Sequence, residues 1–175
     1  MSCPFCDIDS LQDRIFYANE KWFAFLAAPY HAKGHAIIAE RPCGSVCPRV
    51  DRRGWGDFHC FGATLGEVAT TLTRHYDPKD ILFNSLRGDV RHFHVHLIPL
   101  WAEKEDAWRR SKGDHYQRGH LMEFLGNLER EGAEAAELDR TTRHITEDQQ
   151  RQEITKALQP EVEKLRNLTG YSRIF

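Results

Sequence analysis

The chain lacks any uninterrupted apolar stretch approaching the ~20 residues that a membrane-crossing helix needs. It also lacks a charge imbalance: 24 basic side chains stand against 26 acidic ones, a formal net charge of -2. That balance supplies no electrostatic case for a nucleic-acid surface or an anionic membrane as partner. The opening "MSCPFCDIDS" has neither a basic n-region nor an apolar h-region, so a soluble cytoplasmic protein is expected rather than an exported one. No G-x-x-x-x-G-K-[ST] loop and no strand-linked G-x-G-x-x-G occurs, and a bound phosphate would have to be held without those cradles. Five cysteines make an odd number; without an export signal they point to free thiols or metal ligation rather than a disulfide framework. The 175 residues suffice for one domain with a real core and no covalent staples.

What the chain does contain is concentrated in "HFHVHLIP", residues 92–99. Strict alternation of His92, His94 and His96 with Phe93, Val95 and Leu97 is the pattern of a half-buried strand. Side chains two apart on a strand share a face, so the three imidazoles form a row spaced roughly 6.5–7 Å, and the apolar set points into the core. Around this row, 14–17, 22–27, 35–40 and 81–86 read as further strands, the third entered through a Lys33-Gly34 turn. Trp55, Phe58, Leu65, Val68, Leu72 and Tyr76 recur at helical spacing, and Asp77-Pro78 stops that helix. Short connections suit an antiparallel sheet, and the fold class is α+β. Cys60 falls within the long helix and reads as a core thiol.

Past Trp101 the composition turns charged. Leu121, Phe124, Leu125 and Leu128 mark one amphipathic helix. Thr146 with Gln149 forms a capping box for a second, which carries Ile154, Leu158, Val162 and Leu165 and which Pro160 is expected to kink or split. The division is therefore a domain over 1–101 and a helical extension over 102–175, packed on the same domain or on a second copy.

With its flanking strands, "HFHVHLIP" resembles the His-x-His-x-His-x-x motif of the histidine triad superfamily of nucleotide hydrolases and transferases. "CPFC", "WFAFLAAPYHAKGHAIIAERP" and "ILFNSLRGDVRHFHVHLIP" also have counterparts there, so the likeness covers roughly 1–101. The resemblance implies a five-stranded antiparallel sheet with a long helix, a homodimer, and a nucleotide or nucleotide conjugate as substrate. It also implies nucleophilic attack on phosphorus by the middle histidine, His94. A neutral imidazole suits that task near neutral pH and forms a phospho-imidazole that water can cleave. His96 is then placed to bind the phosphate or protonate the departing group. Histidine rather than glutamine at 96 resembles the hydrolase branches more than the uridylyltransferase branch. Asn84 matches the phosphate-side asparagine.

Some members of the superfamily hold a structural zinc, and their pattern maps onto Cys3, Cys6, Cys43 and His92, a Cys₃His set. Cys43 with Cys47, added to Cys3 and Cys6, offers a four-thiolate alternative that leaves His92 out. A third possibility has the cysteines reduced and idle.

Two departures bear on substrate. Ala27 stands where nucleotide-binding members carry an aspartate for the ribose hydroxyls. Arg87-Gly88-Asp89-Val90 stands where many carry Gly-Gln-Ser/Thr-Val, placing Asp89 at the hydroxyl position with Arg87 beside it as a phosphate-binding candidate. These motivate the alternative of a non-catalytic or altered-specificity nucleotide-binding or phosphate-binding protein on the same fold. Lys33 and His35 are assigned no chemistry.

Overall fold

The computed structural model describes residues 3–27, 33–42, 55–85, 90, 92–103, 106–107, 110, 130, 134 and 137–171, with the side chains of 55–58 excepted. A 3-10 helix over Asp9–Arg14 leads into strands β1 (Ile15–Ala18), β2 (Trp22–Leu26) and β3 (Ala36–Glu40). Helix α1 (Trp55–Tyr76) follows, then β4 (Asp80–Asn84), β5 (His94–Leu100) and helix α2 (Glu147–Thr169). The strands form one five-stranded antiparallel sheet in the order β1-β2-β3-β5-β4. The expected α+β architecture is therefore observed. The helix expected around Leu121–Leu128 lies outside the described residues.

The sheet is covered on both faces, which is why "WFAFL" reads as continuous apolar sequence instead of alternating. One face carries Trp22, Ala24, Leu26, Ile38, Val95 and Leu97 against Val68 and Leu72 of α1 and Val162 and Leu165 of α2. The other carries Phe23, Phe25, Ile37 and Ala39 under Phe5 and Leu11. The register pairs Ala39 with His94 and Ile37 with His96, so both histidines lie on this second face.

Helix α2 opens with the expected capping box: Gln149 N donates to the Thr146 hydroxyl while the Gln149 side chain accepts from Thr146 N. The helix then docks along the β1 edge of its own chain. Arg166 Nε donates to Ile15 O and Thr169 Oγ1 to Phe16 O, at 2.8 and 2.7 Å, occupying edge carbonyls that would otherwise invite another strand. Of the two outcomes expected of Pro160, a kink or a split, the split does not occur: the helix runs unbroken from Glu147 to Thr169. The proline and Lys156, whose carbonyl loses its partner, are both exposed, so water can satisfy that carbonyl. Cys60 is likewise exposed rather than in the core. Its neighbour Phe61 packs against the core instead, with its ring meeting Trp22 and Phe93, and Cys60 is turned about 100° away from it. Among the described residues no helix is long and apolar enough to cross a membrane.

Two stability predictions arise here. Gly34, at φ +79°, turns the chain into β3, and a Cβ there would stand 2.7 Å from Tyr76 Cε2. Gly34→Ala is expected to cost roughly 2–4 kcal/mol, read as a lower urea midpoint at constant slope. An unchanged midpoint would show that the turn tolerates a side chain.

The second concerns His75, whose Nε2 donates to Glu161 Oε2 at 2.7 Å and joins α1 to α2. Partial burial raises the Glu161 carboxyl, but the hydrogen bond and charge of His75, together with the charges of Lys164 and Lys33, outweigh it and hold the group below its ordinary value. A carboxyl depressed in the folded state stabilises above its unfolded pKa, and that contribution disappears as pH falls through the folded value. Glu161→Gln is therefore expected to shrink the loss of stability between roughly pH 6 and pH 3. An acid profile identical to that of the unsubstituted chain would mean the bond contributes nothing.

Candidate functional site

The N-terminal Cys3-Pro4-Phe5-Cys6 closes a turn through Cys6 N to Cys3 O at 3.1 Å, with proline at the second position where its fixed φ is favoured. Both sulfurs thereby reach the same atom, His92 Nδ1, at 3.4 Å each. The second ring nitrogen of His92, Nε2, donates to the carbonyl of Glu40 at 2.7 Å, which directs the Nδ1 lone pair at the sulfurs. Tetrahedral zinc with ordinary bond lengths would separate sulfur and nitrogen ligands by about 3.6 Å. Cys3, Cys6 and His92, with all ligating atoms within 4.8 Å of one another, form a cluster that could hold a metal ion. Cys43 and Cys47 lie outside the described residues.

His94 is fixed by a different bond. Its Nδ1 donates to the His92 carbonyl at 2.7 Å, which leaves the Nε2 lone pair unused by that contact. The ring is buried, with the Phe5 centroid at 4.8 Å and the His96 centroid at 5.2 Å. Ser85 Oγ braces the strand from β4 by donating to His94 O at 3.2 Å.

His96 is coupled to a residue for which the sequence offered no chemistry. His35 Nε2 and His96 Nδ1 stand 2.9 Å apart, and His35 is almost wholly buried. One nitrogen donates and the other accepts, so the pair cannot carry a proton on both facing atoms. Nothing local marks His35; the signal available was a histidine in an apolar strand entry, directly after a glycine turn. Asn84 is paired with His96 across β4 and β5 and therefore lies on the same face. Its Nδ2 is buried with no hydrogen-bond partner among the described residues. A buried amide donor left unmade is costly, which marks this one as a place for an acceptor oxygen. Arg87 and Asp89, the other substrate-binding candidates, lie outside the described residues.

A cavity of 920 Å³ opens beside the histidines. His35, His96, Phe5, Phe25, Ile37 and Ala27 contribute to its sheet-side wall, and Arg151, Thr155 and Lys156 of α2 contribute from the helix side. His94 is not in that wall; it adjoins His96 beneath the Phe5 ring. Arg14 also lines the cavity, with its Nη1 donating to Leu26 O at 3.2 Å and its guanidinium over the Phe25 ring. The geometry brings together the imidazoles of His94 and His96, an unsatisfied amide donor and an adjoining cavity with an apolar floor and charged groups of both signs. That combination suits binding of an anionic group attached to a flat or apolar body.

No family model matches the sequence, and no curated protein is similar to it. Solved structures of histidine triad proteins do match. A member of the HIT family from Bacillus subtilis is 19% identical, with 74% of this chain and 96% of that one covered and a TM-score of 0.49. A hypothetical histidine triad nucleotide-binding protein from Sulfolobus tokodaii is 18% identical over 76% and 93%, with a TM-score of 0.49. A HIT family protein from Bacillus anthracis is 20% identical over 77% and 99%, with a TM-score of 0.47. These likenesses are distant, and any functional reading rests on the side chains described above.

Proposed function

We propose that this chain is a histidine triad nucleotide hydrolase that cleaves a phosphoanhydride, phosphoramidate or phosphoester bond through a covalent intermediate on His94. The observation that carries the reading is the hydrogen bond from His94 Nδ1 to the His92 carbonyl, because it keeps a proton on Nδ1, so that the nucleophilic lone pair is the one at Nε2. In the first step Nε2 attacks phosphorus and the bond to the leaving group breaks. The departing atom takes a proton from His96 Nε2 as the positively charged His35–His96 pair shifts its shared proton from His35 Nε2 to His96 Nδ1, so that both rings end neutral. Asn84 Nδ2 donates to a non-bridging phosphate oxygen. Water then gives a proton to His96 Nε2 and attacks phosphorus, the P–N bond breaks, the electron pair returns to His94, and the His35–His96 pair regains its charge.

The Cys3, Cys6 and His92 cluster would hold zinc. The ion would be a structural cross-link between the N-terminal turn and the catalytic strand, with no part in the chemistry.

The test is intact mass spectrometry after rapid non-acidic quenching with nucleoside phosphoramidates and dinucleoside polyphosphates. The expected result is a nucleotidyl increment that fragmentation places on His94. Turnover without an adduct on His94 would overturn the mechanism. No adduct and no turnover, with binding retained, would favour a binding protein on the same fold.

A further inference from the structure

The cavity beside His96 is walled by α2 as well as by the sheet, and that wall bears charge. Arg14, Arg151 and Lys156 line it together with two carboxylates, Asp13 and Asp148. Arg14 is the distinctive member. Its guanidinium is largely buried and stacked on Phe25, and the Leu26 carbonyl is the one acceptor it meets among the described residues. Four of its five N–H donors remain for a ligand. Burial, then the neighbouring Arg151, pull this guanidinium below its ordinary pKa. Two cations converge here, and a bound anion relieves their repulsion.

The placement matters as much as the charge. Arg14 stacks over β2, and β2 is two strands from β5, a spacing of roughly 10 Å from the histidine row. Ala27, at the end of β2, adds only a methyl group to the same cavity, so it offers no acceptor for a sugar hydroxyl and no repulsion for an anion. Among the described residues Arg151 is held by an exposed pair with Glu147, one turn away on α2 at 2.7 Å, which costs little to exchange for a ligand.

We propose that Arg14, Arg151 and Lys156 form an anion subsite, and that the preferred substrate is a nucleotide bearing a second phosphoryl group on its sugar, remote from the scissile phosphorus. Helix α2 is then a specificity element of the site. The inference rests on the nucleotide reading above and extends it to the part of the substrate that Ala27 leaves unrecognised.

The test measures binding by calorimetry on the full chain at low salt. The probes are adenosine and guanosine 5′-monophosphates and their 3′,5′-bisphosphates. The bisphosphate of at least one base is expected to bind about ten-fold more tightly than its monophosphate, as charge-assisted bonds to guanidinium imply. In Arg151→Gln/Lys156→Gln the ratio of the two dissociation constants is expected to fall toward one. Both side chains are exposed, so the variant is expected to melt with the unsubstituted chain. Raising the salt is expected to erode the ratio as well. Equal affinities in the unsubstituted chain, or a ratio that survives the double substitution, would overturn the subsite while leaving the nucleotide reading standing. If neither class of probe binds, both fall together.

Discussion

His94→Asn is expected to lower turnover by about 10³-fold or more while leaving the chain folded. The asparagine amide can place a donor where Nδ1 now donates to the His92 carbonyl, so the buried hydrogen bond survives while Nε2 is lost. His94→Ala removes both and is expected to cost stability as well, on the order of 1–3 kcal/mol for the carbonyl left unmade. Comparing the two separates catalysis from folding: turnover lost in the asparagine variant with an unchanged melting temperature assigns the defect to the nucleophile. His96 provides the internal control. Loss of a general acid costs about 10²–10⁴-fold and shrinks as the leaving group improves. Loss of the nucleophile does not shrink in that way. Turnover by His94→Asn near that of the unsubstituted chain would end the covalent mechanism.

The second large effect is expected at the Cys3, Cys6 and His92 cluster. Replacing both cysteines with serine, or stripping the chain with a strong chelator, is expected to cost about 4 kcal/mol or more, a fall in melting temperature of about 10 °C. The physical reason is that a metal there ties the N-terminal turn to the strand that carries the histidines. The turn also carries Phe5, which lies between the two cysteines in sequence and packs its ring against both His92 and His94, at 5.7 and 4.8 Å. Freed from the cluster, Phe5 would lose its anchor over the nucleophile. The measurement is metal content by elemental mass spectrometry alongside thermal melting. A chain that binds no metal, and that melts at the same temperature with and without Cys3 and Cys6, would show the cluster to be idle thiols.

Much of this site was visible in the sequence because backbone geometry fixes side-chain direction locally. Alternation over 92–99 placed His92, His94 and His96 on one strand face. Strand β5 keeps His94 and His96 there, but it begins at His94 and leaves His92 in the bend before it, able to turn its ring toward the cysteines. Helical spacing from Trp55 to Tyr76 and the Thr146–Gln149 box located α1 and the start of α2 for the same reason. The Cys3-x-x-Cys6 spacing announced a possible ligand pair, since a three-residue step closes a turn with both sulfurs on one side.

Other features needed the tertiary structure, because they depend on which strands become neighbours. Placing β5 between β3 and β4 brings His35 to His96 across 61 positions of sequence and sets Asn84 opposite His96, and no local pattern encodes either meeting. Joining of β3 to β5 also delivers the Glu40 carbonyl to His92, and that bond aims the Nδ1 lone pair at the sulfurs. The outward turn of Cys60 was decided by Phe61 reaching Trp22 and Phe93. Pro160 was tolerated because it and Lys156 lie on the solvent side of α2. Helix α2 reached the cavity because its apolar stripe docked on the face opposite the histidines while its polar N-terminal turns reached around the β1 edge. Periodicity determined which way each side chain points within its own element. Packing between distant elements, governed by the burial of apolar faces, decided which of those side chains meet.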